Sequence, residues 1–286
     1  MKIIKPSTEY LGIVPTDYAG ALRFIELAGR TCYRSEDKIT DTSAEGFVHR
    51  LIKAGHLAMV EHSNFVVWMP QQGDLVFATI YAMAGKFLSV TIRDGWFYVG
   101  GNLTAWYQRG NIFGWEDELF RPFFRVYGDL FGIVQLGPVD TPWTVCPHNE
   151  IPLGLHRHAV RFVCDRGVTH ELVRHRPCSF AQESTRYVRY DGITVIEPHD
   201  WDTWAAEERD AFEVSCMIAE KSYQLLIDAG RKPQQARAVL PTALRTEIVV
   251  TADPAEWRHI QKLRTAPTAQ PDMRRVMNDV PWGAIV

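Results

Sequence analysis

The chain has 286 residues, 46% hydrophobic and 23% charged, with a formal net charge of −3. That length can bury a sizeable core, and the composition is ordinary for a globular protein and unlike that of a disordered or fibrous one. A slightly acidic balance excludes broad polyanion binding, so no nucleic-acid partner is expected, and no stretch approaches the roughly 18 apolar residues of a membrane span.

In chain order, residues 17 to 29 carry Ala19, Leu22, Phe24, Ile25 and Leu27 at helical spacing, and residues 43 to 55 repeat it through Phe47, Leu51 and Ile52. Both predict helices. The apolar run Phe65-Val66-Val67-Trp68-Met69, ended by Pro70, predicts a buried strand. From about 70 to 150 the chain is rich in aromatics, among them Trp96, Phe97, Trp106, Trp115, Phe123, Phe124 and Trp143, which predicts core and interface helices.

His158 to Cys164 alternates as a strand does, and Ile193-Thr194-Val195-Ile196 is a second candidate strand. Glu207 to Ala229 combines helix formers with a stripe of Phe212, Cys216, Ile218, Tyr223 and Leu226 and a terminal Gly230, predicting one long amphipathic helix with a glycine stop. Glu207, Glu208 and Asp210 suit its first turn, where carboxylates meet the positive end of the helix dipole. Leu244 to Thr251 predicts another strand, and Asp253-Pro254 opens a helix carrying Trp257, Ile260, Gln261 and Arg264, with Asp253 as its cap. No internal repeat or low-complexity linker is visible. The fold class expected is α+β.

The cysteines, Cys32, Cys146, Cys164, Cys178 and Cys216, have no paired spacing, and their odd number suits a reducing compartment. The N-terminus has no long apolar stretch, so a cytoplasmic protein is expected. Cys146, His148, His156 and His158 have the residue types of a zinc site, but their spacing matches no usual layout and Pro147 and Pro152 indicate a loop. No metal is expected.

Arg174-His175-Arg176-Pro177-Cys178-Ser179-Phe180-Ala181-Gln182-Glu183-Ser184-Thr185-Arg186-Tyr187 concentrates guanidiniums, an imidazole and hydroxyls. Guanidinium holds phosphate through paired, charge-assisted hydrogen bonds, and hydroxyls fill the remaining acceptor positions, so the run predicts an anion site. Pro177 should end any preceding helix and leave the second half of the run as a loop.

This run resembles the signature of the flavin-dependent thymidylate synthases: Arg-His-Arg, two residues, Ser, four residues, Ser, one residue, Arg-Tyr. Dispersed segments follow the family's order, namely Arg30-Thr31-Cys32-Tyr33, Glu61-His62-Ser63-Asn64-Phe65, Arg237-Ala238-Val239-Leu240-Pro241 and Leu263-Arg264. The chain departs from the family pattern at Ala181, at Asp253-Pro254-Ala255 and at Thr268.

The resemblance implies a single domain over residues 1–286, a small mostly antiparallel sheet flanked by long helices, and an aromatic-rich helical insertion at about 70–150. It implies reductive methylation of dUMP to dTMP, with methylenetetrahydrofolate as carbon donor, FAD as hydride carrier, NADPH as reductant, and a homotetramer. By position, Arg264 is the implied catalytic residue, holding charge that builds on the uracil ring. Glu171, Arg174, Ser184, Thr185, Arg186, Tyr187, Arg237 and Arg264 are the implied substrate ligands. His62, Asn64, Arg174, His175, Arg176, Gln182 and His259 are the implied flavin contacts. The implied chemistry needs no cysteine nucleophile, which makes Cys178 a bystander. Two alternatives stay open: another C5 modification of a pyrimidine nucleotide, such as hydroxymethylation, and a non-catalytic nucleotide-binding protein.

Overall fold

The computed structural model describes the chain apart from residues 72, 86–87, 134–136 and 138–139, which fall inside the stretch read as an insertion. The chain divides into two compact units: Met1–Gly12, Arg30–Glu36 and Ala159–Val286 form one, and Ile13–Gly29 with Asp37–His158 forms the other. The second unit is larger than the insertion read from sequence, because it also takes in most of the first two helices and the strand Phe65–Pro70.

The first unit is built on a four-stranded sheet in the spatial order Ser7–Ile13, His158–Asp165, Arg245–Ala252, Ser179–Gln182. Alternation explains the two central strands. Val160, Phe162 and Cys164 on one, and Ile248, Val250 and Ala252 on the other, face a core shared with Trp257, Ile260, Met273, Val276 and Met277. Thr194–Ile196 pairs in parallel with Lys2–Ile4, and the helix Ala206–Asp228 packs Cys216, Tyr223 and Ile227 beside Val195 and Leu244. That helix starts with Glu208 accepting from the Ala205 N–H at 2.7 Å. It stops where Gly230 takes a φ of 83° and the Arg231 N–H closes on the Leu226 carbonyl at 2.9 Å.

The strand Ser179–Gln182 narrows the loop expected in the second half of the run to the turn residues 183–187 that follow it. Ser179 and Ala181 are buried while Phe180 and Gln182 are half-buried, a period of two, and the segment pairs antiparallel with Ile248–Thr251. Pro177 does stand outside the helix, which ends at Leu172.

In the second unit, Ser89–Arg93, Trp96–Gly101, Phe65–Pro70 and Thr144–Val145 form an antiparallel sheet in that order. The stretch at about 70–150 is therefore not helical throughout. Beside the helices Gly73–Ala84, Leu103–Phe113 and Arg121–Phe131 it holds a hairpin, because Asp94-Gly95 forms a two-residue turn with φ of 52° and 78° between β-branched and aromatic residues. The aromatics do form the core: Phe65 meets Trp106, Phe123 and Tyr127 edge-on at centroid distances of 5.5, 5.8 and 5.5 Å. Among the described residues no helix is long and apolar enough to cross a membrane.

Candidate active site

The helix Pro254–Arg264 places the residue on which the proposed chemistry turns. Asp253 caps it, accepting from the Glu256 N–H at 2.9 Å, as its sequence position predicts. Trp257 and Ile260 are fully buried, and Arg264 lies seven and four residues further on, so helical periodicity tucks it inward while Leu263 stays 46% exposed.

Three hydrogen bonds hold the Arg264 guanidinium. Nε donates to His175 Nε2 at 3.0 Å, Nη1 to Glu171 Oε2 at 2.7 Å, and Nη2 to the Glu171 carbonyl at 3.1 Å. Glu171 is 40% exposed, so its ion pair alone is worth no more than about 1 kcal/mol; the guanidinium is fixed by the three bonds acting together. A cavity of about 460 Å³ opens beside it, lined by Glu171, Leu263, Arg264, Thr268, Ala269 and Gln270.

His175 is 5% exposed, in the turn between the helix Arg166–Leu172 and the strand Ser179–Gln182. Its Nδ1 lies 3.0 Å from Glu256 Oε1. Burial pushes its pKa below the ordinary 6.5, with the Arg264 charge acting in the same direction and Glu256 against it. An arginine N–H can only donate, so Nε2 is bare and the ring proton sits on Nδ1, directed at Glu256.

Ligand atoms of His175, Glu256 and His259 lie within 4.8 Å of one another. With one ring nitrogen of His175 protonated and the other accepting from Arg264, the imidazole has no lone pair left for a cation, and the trio is not a metal cage.

A second group gathers after the strand Ser179–Gln182. The Arg237 guanidinium donates to the Thr185 hydroxyl at 3.2 Å, with Thr185 buried and Arg237 exposed. The Ser184 N–H is anchored on the Cys32 carbonyl at 2.9 Å, and its hydroxyl accepts from the Arg186 N–H at 3.3 Å. Arg186 lies over the Tyr187 ring at 5.4 Å, and Tyr187, 55% exposed, meets Tyr33 at 5.4 Å. The buried Glu183 anchors this turn, accepting from Tyr190 at 2.6 Å and Arg245 at 2.8 Å.

Of the remaining residues read from the sequence, Arg174, Arg176 and His259 are exposed. The Gln182 amide is spent on the Thr169 and Thr246 hydroxyls at 3.0 and 3.3 Å. His62 and Asn64 fall in the second unit, fully buried there, with the Asn64 amide donating to the Leu155 carbonyl at 2.9 Å. All five cysteines are buried thiols outside any disulfide, and burial pushes the Cys32 thiol up to about 12. Sequence reasoning missed Glu256, although its place one turn after an Asp-Pro cap on the helix of Arg264 was a usable signal.

Residues 152–280, which contain Glu171, His175, Thr185, Arg237, Glu256 and Arg264, match the family model described as thymidylate synthase complementing protein. The resemblance carried by the motif at Arg174 to Tyr187 is thereby shown.

Flavin-dependent thymidylate synthases are among the relatives. The one from Geobacter sulfurreducens is 36% identical over 111 residues, covering 38% of this chain and 47% of its own length. That from Pyrococcus furiosus is 34% identical over 116 residues, 40% of this chain and 48% of its own. That from Mycobacteroides abscessus is 37% identical over 125 residues, 39% and 50% respectively. The chain thus spans about half the length of the curated relatives it matches. Among solved structures, the UMP/dUMP methylase PolB from Streptomyces cacaoi bound with 5-Br dUMP is similar over 98% of this chain and 90% of its own, at a TM-score of 0.42 and 15% identity.

Proposed function

We propose that this protein is a flavin-dependent thymidylate synthase that methylates dUMP at C5 to give dTMP. The observation that carries this reading is Arg264, held by Glu171 and His175 at the wall of a cavity. The C5 carbon of uracil is a poor nucleophile until negative charge builds in the ring, and a fixed guanidinium at the ring edge stabilises that charge without reorganising during the step. Of the five N–H donors of Arg264, three are engaged, which leaves one on each terminal nitrogen for a ligand.

Arg237 with Thr185, Ser184 and Arg186 would hold the phosphate, since the last three are consecutive on one turn and the Arg237 guanidinium reaches its Thr185 hydroxyl. The exposed Arg174, Arg176 and His259 have donor chemistry suited to the diphosphate of FAD. His175 has both ring nitrogens engaged within the protein and would act on the flavin through packing, while Gln182 has its amide nitrogen engaged and would offer its amide oxygen. Bound FAD, once reduced by NADPH, would supply the hydride that completes the methyl group, with methylenetetrahydrofolate as carbon donor. The proposal includes a cytoplasmic homotetramer and the whole chain acting as one functional domain.

An absorbance spectrum of the purified protein with and without added FAD tests the cofactor. The product mass after incubation with dUMP, methylenetetrahydrofolate and NADPH tests the reaction. A flavin spectrum and a product heavier by one methyl in place of hydrogen are expected; a hydroxymethyl product or unchanged dUMP would overturn the reading.

A further inference from the structure

We propose that Glu256 is a positioning residue for Arg264, acting through the tautomer of His175. The proposal rests on the reading that Arg264 faces the pyrimidine. It starts from two distances of 3.0 Å on opposite sides of one buried ring, Glu256 Oε1 to Nδ1 and Arg264 Nε to Nε2.

A neutral imidazole carries one proton and has two places to put it. With the proton on Nδ1, the ring donates to the Glu256 carboxylate and accepts from Arg264, and every atom is satisfied. With the proton on Nε2, an N–H faces an N–H at Arg264 and the guanidinium is driven off its seat. The carboxylate decides between these states, because ionised it can only accept, and it therefore selects Nδ1–H.

Local structure keeps this arrangement in place. Glu256 stands in the first turn of its helix, its backbone N–H tied to Asp253, and its side chain is only 13% exposed. Arg264 ends the same helix and reaches back to the ring, while Glu171 holds the other side of the guanidinium from the helix Arg166–Leu172. The charged and titratable groups facing His175 are Glu256, Arg264 and His259, the last with its ring centroid 5.7 Å away. A misdirected guanidinium would still leave the phosphate-binding group and the exposed arginines intact, so the loss falls mainly on turnover.

Glu256→Gln keeps the side-chain volume but adds an N–H donor, so both tautomers become available. Nitrogen-15 NMR of histidine-labelled protein reads the tautomer directly, and steady-state kinetics separate kcat from KM. The parent is expected to show His175 protonated on Nδ1 with Nε2 bare. The variant is expected to gain an Nε2–H population and to lose about tenfold or more in kcat, with KM for dUMP within about threefold.

A parent ring protonated on Nε2 would overturn the proposal, and that measurement needs no variant to fold. So would a variant with a shifted tautomer and full kcat, or one with reduced kcat and an unshifted tautomer. Arg264→Ala run alongside separates the two claims: if it turns over as the parent does, the role given to Arg264 fails, while the tautomer result stands or falls by its own spectrum.

Discussion

Arg237 and Thr185, 52 residues apart in sequence, meet at 3.2 Å with the guanidinium donating to the hydroxyl. The contact orients an otherwise exposed cation from a short turn toward the segment that follows the strand Ser179–Gln182. Losing a charge-assisted phosphate contact costs about 1.5–3 kcal/mol, roughly ten- to a hundredfold in affinity. Arg237→Ala is therefore expected to weaken dUMP by that factor while leaving deoxyuridine nearly unchanged. Thr185→Val, which keeps the cation and removes its support, should have a smaller effect in the same direction. Calorimetric titration with both ligands checks this, and an Arg237→Ala protein that still prefers dUMP as strongly as the parent would place the phosphate elsewhere.

Arg264→Ala should lower turnover by about a hundred- to a thousandfold, the size of a lost preorganised donor, with the flavin absorbance unchanged. Arg264→Lys should rescue little. One ammonium cannot reach His175 Nε2, the Glu171 carboxylate and the Glu171 carbonyl together, as the planar fork does. A lysine variant with near-parental kcat would reduce the role of Arg264 to bare charge.

Much of the scaffold was legible in the sequence wherever one periodicity ruled. The helix at Glu207 to Ala229 was read within a residue of its observed bounds, Ala206–Asp228, because a buried stripe and a glycine stop agree. The strand Ser179–Gln182 was not, because in so short a polar run half the alternation is carried by Ser and Gln, whose burial depends on partners far away in sequence. The hairpin at Asp94-Gly95 was hidden by reading its aromatics as helix stripes, although the turn dipeptide itself was present. At the candidate site, motif order supplied Arg264, His175 and Glu171 but not the bonds among them. His175 reads as a surface ligand until the turn buries it between a carboxylate and a guanidinium 81 and 89 residues further on.

Cys178→Ala should leave turnover within about twofold of the parent and lower stability modestly, on the order of 1 kcal/mol for a small buried side chain. Cys178 is 6% exposed and packs in the core shared with Trp257 and Ile260, on which the helix of Arg264 rests. Steady-state kinetics and a denaturant titration measure the two effects. A variant that folds but does not turn over would mean that a thiol takes part in the reaction.

Acid should destabilise the fold through its histidines before its carboxylates. His156, His158 and His175 all have pKa values lowered from 6.5 by burial, reinforced by a neighbouring positive charge or histidine in each case. Above pH 6.5 these rings are neutral in both the folded and the unfolded chain, so their contribution to stability is complete. As the pH falls through 6.5 the unfolded chain takes up protons that the folded chain refuses, and stability falls until the pH passes below the folded values. Two carboxylates are shifted in opposite senses, so acidification costs stability at the first and adds it at the second. Glu220 is held below 4.5, its bonds to the N-terminal ammonium and the Ile193 N–H outweighing burial, while burial raises Asp165 from 3.8 against its backbone hydrogen bonds. The denaturant midpoint should accordingly be flat above the ordinary histidine range and drop as the pH falls below 6.5. His175→Asn should lessen that slope, since it removes one of the rings that resist protonation. A midpoint that stays level or rises on acidification to pH 5 would mean that these rings are protonated in the folded chain, and the donor pattern drawn for His175 would go with it.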